Sequence, residues 1–332
     1  MSMKNSGNLS KKIKPLVSIC IPNYNGEKYI AEAIKSALNQ TYENIEAIVI
    51  DNCSTDNSWE IIKSFKNKKL FVYRNNYNIG YVGNLNRCIE YTKGKYVKIL
   101  HVDDILEKDV VRKQIEVFEK DENIGLVHGC VSIIDKNGIK RNLISYSDED
   151  VKISGIKKLE ELLEGNHIMF PSIAIRKECF DAVGVFDEEL PFCCDWDMWI
   201  RICTKYDIAY LKDMIAYYRV HDESGSQKYE KTNLSGLDQY KMFNKIFRLI
   251  TDKTILRKRK HYYFILAREQ IAKSLHLTIK GNSKQARKYV ITSVLIKDNP
   301  LFLLSFLFFY LLPFLGKYPS KLILKIGKMS IK

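Results

Sequence analysis

Between Val17 and Leu100 short apolar runs alternate with amphipathic ones, and this alternation restricts the chain to few folds. VSICI (17–21), IEAIVID (45–51), LFVYR (70–74) and KYVKIL (95–100) have strand length. Between them stand IAEAIKSAL (30–38), SWEIIKSF (58–65) and GNLNRCIEYT (83–92). The first of these places Ile30, Ala33, Ile34, Ala37 and Leu38 on one helical face. Strands separated by helices predict βαβ units, hence an α/β fold with a Rossmann-like, mainly parallel twisted sheet flanked by helices. Ligands of such sheets sit beyond the carboxyl ends of the strands. There the sequence puts Pro22-Asn23-Tyr24-Asn25, Asp51, and the segment KILHVDD (98–104), which ends in Asp103 and Asp104.

Adjacent carboxylates at a strand end repel unless a cation or proton neutralises them. Hard divalent ions take oxygen ligands, and Mg2+ or Mn2+ is commonly held by one or two carboxylates plus substrate phosphates. The pair therefore suits a metal-bound nucleoside diphosphate, or else caps the helix expected in ILEKDVVRKQIEVF (105–118). Asp51 can accept an N–H from a uracil- or thymine-like base, or serve as a helix N-cap.

Beyond residue 105 the alternation weakens. GLVHGCVSII (125–134), HIMFPSIAI (167–175) and IAYYRVH (215–221) read as strands of a mixed extension, and HDESGSQKYEKTN (221–233) as a mobile loop. CDWDMWIRI (194–202) reads as a helix in which Asp195 and Asp197 lie roughly 200° apart, so they do not share a target. The eight cysteines show no CxxC or zinc spacing and read as reduced thiols.

The stretch VSICIPNYNGEKYIAEAIKSALNQTYENIEAIVIDNCSTDNS closely resembles the opening of family 2 glycosyltransferases, enzymes of the GT-A fold. The resemblance continues through NIGYVGNLN (78–86), GKYVKILHVDD (94–104), GVFDEEL (184–190), CCDWDMWIRI (193–202) and YRVHDESGS (218–226). It implies an inverting hexosyltransferase using a nucleotide-sugar, with Mg2+ or Mn2+ as cofactor. Pro22, Tyr24, Asp51, Asn86 and Asp103 would bind the donor nucleotide, and Asp51 leans towards UDP- or dTDP-linked sugars. Asp103 and Asp104 would stand where the family holds the ribose and the diphosphate-bound metal, and His221 matches a loop histidine that approaches the diphosphate or the metal. Asp195 matches the general base, acting on a hydroxyl of a glycan or lipid-linked acceptor. Trp196 is either a stacking surface for that acceptor or core, and His101 either a neutral ligand near the metal or a strand-end imidazole bonded to backbone.

This chain departs from the family's common pattern at three places. The usual L-D-x-D-D begins here with His101 in place of its first acid. Leu85 stands where many members carry Arg, with Arg87 or Lys98 as candidates to supply the missing charge. Cys194 replaces the usual Glu before the base. A catalytically inactive GT-A-like binding protein is the rival these changes invite. A dehydrogenase would need G-x-G-x-x-G where PNYNGEKY stands, and the P-loop pattern is absent.

The net charge of +14 resides in the C-terminal quarter, where residues 245–332 hold 19 Lys and Arg against 3 acids. A basic tail suits nucleic acid or an anionic membrane surface. The uncharged run LFLLSFLFFYLLPFL (301–315), bracketed by lysines, favours lipid over nucleic acid. As a helix it reaches roughly 22 Å, short of a ~30 Å hydrocarbon core. It therefore reads as embedding in one leaflet, with burial against the core or a homodimer partner, or true spanning, as alternatives. The expected organisation is a disordered arm (1–14), a catalytic domain (15–226) with nucleotide-sugar and acceptor halves meeting near residue 105, and a basic helical membrane-associating region (227–332). The N-terminus lacks a signal peptide's apolar stretch. The expected location is cytoplasmic, on the inner face of the plasma membrane.

Overall fold

A computed structural model describes residues 14–221, 224–225 and 234–296. The expected disordered arm, the greater part of the 221–233 loop and the apolar run 301–315 lie outside the described residues. Four strands, β1 (Val17–Asn23), β2 (Ile45–Asp51), β3 (Leu70–Arg74) and β4 (Tyr96–Ile99), form the parallel half of one sheet in the order β3-β2-β1-β4. Helices α1 (Ile30–Leu38), α2 (Ser58–Ser64) and α3 (Tyr81–Glu90) connect them, as the alternation predicts. The short β5 (Ile105–Leu106) and α4 (Val110–Phe118) follow, then β6 (Ile124–Ile134), β7 (Lys140–Ile144), β8 (Val151–Ile153), α5 (Gly155–Glu164) and β9 (Ala174–Arg176). After α6 (Glu178–Val183) and α7 (Cys194–Cys203), β10 (Asp207–Arg219) completes the sheet. The mixed half continues the order as β9-β6-β10-β5, with β9 antiparallel to both β4 and β6.

The central strands are apolar on both faces because helices cover both. Alternate residues divide between two cores, as a period of two requires. Ile19, Ile21, Ala47 and Val49 pack with α1 and α4, whereas Cys20, Ile48 and Ile50 pack with α3 and α7. That second core extends into C-terminal helices α8 (Leu234–Leu249), α9 (Lys253–Arg257) and α10 (Arg259–Ile279) through Phe243, Ile246, Ile255, Tyr263 and Leu266. The last described helix, α11 (Ser283–Leu295), pairs with α10. No helix among the described residues is long and apolar enough to cross a membrane.

Two local expectations are corrected. The run 167–175 is not one strand: Phe170–Ser172 form a 3-10 turn before β9, at Pro171, which has no N–H for a ladder. The helix expected from residue 105 starts at Val110, because Ile105 and Leu106 pair with Tyr217 and Ala216 of β10.

Gly155 starts α5 under the end of α7, where an added Cβ would run into the carbonyl oxygens of Cys203 and Tyr206. Backbone cannot yield as a flexible side chain does. Gly155→Ala should therefore lose about 1–3 kcal/mol of stability, visible as a lowered denaturation midpoint in urea with an unchanged slope.

Candidate active site

The parallel register aligns the strand ends, setting Asn23 opposite Asp51 and Asp51 opposite Arg74. The Asp51 carboxylate is wholly buried and receives Asn23 Nδ2 at 2.7 Å, Ser54 Oγ at 2.5 Å and Ser54 N at 3.1 Å, with Arg74 Nε at 3.1 Å. It therefore fixes the first two strand ends and the turn after β2. Pro22 is buried beside Ile50, while Tyr24 stands at the rim, half exposed.

Beyond β4 the chain turns through His101, Asp103 and Asp104, each offering one ligand atom within 4.8 Å of the others. Asp104 is fully buried: its Oδ1 accepts the Arg219 backbone N–H at 2.9 Å, and its Oδ2 has no hydrogen-bond partner. Burial, and then the charge of Asp103, push its carboxyl well above the ordinary range. Burial also acts to raise Asp103, but the hydrogen bond to His221 and the proximity of His101 outweigh it and hold this carboxyl low. His221 Nε2 lies 3.0 Å from Asp103 Oδ2, and its ring packs on Tyr29. The structure thus brings His221 to the site as a partner of Asp103. The His101 ring is held by Tyr81 Oη, 2.8 Å from Nε2, and by Phe170, whose ring centroid is 4.3 Å away. An orphaned, buried carboxylate oxygen among three convergent ligand groups fits a divalent cation.

Asp195 opens α7. Trp196 N donates to Oδ1 at 2.7 Å, and Asn166 Nδ2 to Oδ2 at 3.2 Å. Burial outweighs these bonds and lifts the carboxyl to about 6. Packing joins α7 to the acid rim, since Phe170 lies between His101 and Trp199. Asp197 turns the other way, fully buried against Arg201 Nε at 2.7 Å and Lys245 Nζ at 3.2 Å.

Several expected contacts are corrected. Asn86 was expected at the donor, but its amide nitrogen donates to Phe186 O at 2.9 Å and its oxygen accepts from Phe186 N at 3.0 Å. Both ends are spent fastening the Phe186 backbone to α3. Trp196 is core: its Nε1 donates to Leu162 O at 2.7 Å and its ring meets Phe243 edge-on, so no face is offered to an acceptor sugar. Arg87 lies over the Tyr91 ring. Lys98 is fully buried, donating to Pro171 O and Ile173 O at 3.2 and 3.1 Å, so it does not replace the charge missing at Leu85. Sequence reasoning missed Asn166, Tyr81 and Arg219, because their pairings arise from segments distant in the chain.

A mainly parallel sheet flanked by helices, with an acid cluster beyond its strand ends and a raised carboxyl at a neighbouring helix start, defines a glycosyltransferase of the GT-A fold. The chain belongs to the family described as glycosyl transferase family 2, whose model matches residues 18–184. The Escherichia coli UDP-Glc:alpha-D-GlcNAc-diphosphoundecaprenol beta-1,3-glucosyltransferase WfaP is 31% identical over 64% of this chain and 80% of its own length. S. aureus TarS 1–349, solved in complex with UDP-GlcNAc, superposes with a TM-score of 0.63 at 18% identity, over 83% of this chain and 79% of its own. Mannosyltransferase PcManGT from Pyrobaculum calidifontis, solved with GDP-Man and Mn2+, gives 0.58 at 16% identity, over 96% of this chain and 84% of its own.

Burial depresses Lys98 from 10.5 to about 7. Between those values the unfolded chain binds a proton that the folded chain does not, so this residue makes stability rise with pH across that window. Lys98→Met should flatten that part of the rise in urea midpoints measured from pH 7 to 10.

Proposed function

We propose that the chain is an inverting transferase moving a sugar from a UDP- or dTDP-linked donor to a hydroxyl of a glycan or lipid-linked acceptor. The observation carrying this reading is Asp195: a carboxyl lifted to about 6, fixed in orientation by Asn166 and the Trp196 N–H. A base near that value is ionised at neutral pH and remains basic enough to take a proton in the transition state. The acceptor oxygen forms its bond to the anomeric carbon as the bond to the donor's diphosphate breaks. Asp195 takes the hydroxyl proton, and the electron pair leaves with the nucleoside diphosphate. Attack opposite the leaving group inverts the centre. Asp103 and Asp104, with His101 beside them, would hold Mg2+ or Mn2+, which when bound would supply Lewis-acid neutralisation of the leaving charge. His221, bonded to Asp103, joins the end of β10 to this rim.

Tyr24, half exposed at the rim, with Pro22 beside it and the buried Asp51 bracing the turn behind, would form the nucleotide end of the site. The donors carried by related folds support a nucleotide-sugar, UDP-GlcNAc in TarS and GDP-Man in PcManGT. The diphosphoundecaprenol acceptor named for WfaP supports a lipid-linked one. The basic C-terminal quarter then holds the enzyme on the cytoplasmic face of the plasma membrane, near such an acceptor.

Asp195→Asn should lower kcat by roughly 10²–10⁴-fold while thermal shifts with UDP-sugars and Mn2+ stay at the wild-type value. Ordinary turnover in that variant defeats the assignment. The rate should fall on the acid side with a midpoint near 6, since the protonated carboxyl cannot accept the hydroxyl proton. Asn166→Ala removes a donor that favours the charged form, so the midpoint should move higher.

Removing residues 297–332 should shift the protein from the membrane pellet to the supernatant on ultracentrifugation. Unchanged sedimentation counts against the anchor.

A further inference from the structure

His101 occupies the place where the family's common pattern carries an acid, and its geometry gives that exchange a consequence. The ring is pinned on one side by Phe170, with Tyr81 Oη at 2.8 Å from Nε2. This leaves Nδ1 turned to Asp104 Oδ2, 3.9 Å away. That separation is beyond a hydrogen bond, although Oδ2 is fully buried and has no hydrogen-bond partner. Were Nδ1 protonated, a modest approach would satisfy both atoms. A lone pair on Nδ1, facing a carboxylate oxygen with an ion between them, accounts for the gap and the orphan together. The tautomer follows if Nε2–H donates to the Tyr81 hydroxyl, the way a ligating imidazole is ordinarily oriented by a partner on its other nitrogen.

We propose that His101 is a direct nitrogen ligand of the cation, oriented by Tyr81, and that it biases the site towards Mn2+ over Mg2+. The inference rests on the acid rim being a cation seat, as proposed above. Mg2+ is hard, tightly hydrated and takes oxygen ligands, whereas imidazole suits first-row transition ions. Asp103 and Asp104 with an acid at position 101 would form an all-oxygen seat open to Mg2+. With imidazole there, one ligand discriminates. The negative charge is also reduced, which costs the more strongly oxygen-dependent ion more.

The test uses the full-length, metal-stripped protein with MnCl2 or MgCl2, with and without UDP. Free Mn2+ is counted by continuous-wave electron paramagnetic resonance, Mg2+ affinity comes from competition, and pulsed measurements read nitrogen-14 modulation on bound Mn2+. The wild type should bind Mn2+ at least ~10-fold more tightly than Mg2+ and show nitrogen modulation. His101→Asp should lose the modulation and bring the two affinities close together. His221→Gln should keep the modulation, which assigns the nitrogen to His101. Tyr81→Phe should keep it too while weakening Mn2+ by roughly 10–100-fold, an effect not expected of a merely packing tyrosine. Bound Mn2+ without nitrogen modulation overturns the ligand assignment and leaves the cation seat standing. No bound Mn2+ at any of these conditions removes both. If His101→Asp fails to fold, the wild-type and His221→Gln spectra decide together, and modulation lost with His221→Gln overturns the assignment.

Discussion

Arg219, at the end of β10, holds the acid rim together. Its backbone N–H donates to Asp104 Oδ1, and its guanidinium Nε donates to the Asp103 carbonyl at 2.8 Å. Nη2 reaches Glu32 of α1 at 2.5 Å, and the planar cation lies over the Tyr29 ring at 4.6 Å. One nearly buried side chain thus ties the loop after β4, the first helix and the last strand. A guanidinium suits this task because its donors are fixed in a plane and it keeps its charge when buried. Two residues further on, His221 bonds the Asp103 carboxylate, so the strand that secures Asp104 also delivers the partner of Asp103.

The helix that carries Asp195 is held from the other side. Asp197 pairs with Arg201, whose remaining donors take the carbonyls of Val183, Gly184 and Val185, and with Lys245 of α8. Lys245 also bridges to Asp187 at 2.6 Å, and Asp238 of α8 accepts from Phe192 N at 2.9 Å. The segment leading into Asp195 is therefore fastened to the C-terminal helices. Those helices share the apolar cluster of Trp196 and Trp199. Helices α8 to α10 therefore brace the helix that carries Asp195.

The parallel half of the sheet was legible in the sequence because its signal is local. Strand runs, amphipathic helices and polar strand ends each occupy fewer than a dozen residues, and short connections leave little choice of order. The acid cluster was legible for a different reason, since adjacent carboxylates at a strand end stand out in a line of text, whereas Asp195 was singled out only by the family resemblance. The remainder depends on long-range pairing. Asn86 offered no sign that its amide would be taken by Phe186, a hundred residues away. Lys98 reads as a usable charge until β9 and the turn at Pro171 close over it. Asn166 is an unremarked polar residue in a loop until α5 and α7 pack together and set it against Asp195. In each case the decisive fact was which distant backbone or carboxylate arrives beside the side chain.

Asp195 and Asp197 show how far such environments separate equal chemical groups. They stand two residues apart on α7, with the same carboxyl and the same helix start nearby. Asp197 faces inward, where Arg201 and Lys245 compensate its charge, and its role is to hold the helix. Asp195 has no cation within ion-pair distance among the described residues and only two neutral donors, so burial dominates and its carboxyl rises to about 6. A paired buried carboxylate is a poor base because its charge is already stabilised. An underpaired one is a good base because a proton relieves its desolvation. The helical period separates the two: about 200° of rotation sends one acid to the cations of the core and leaves the other without one.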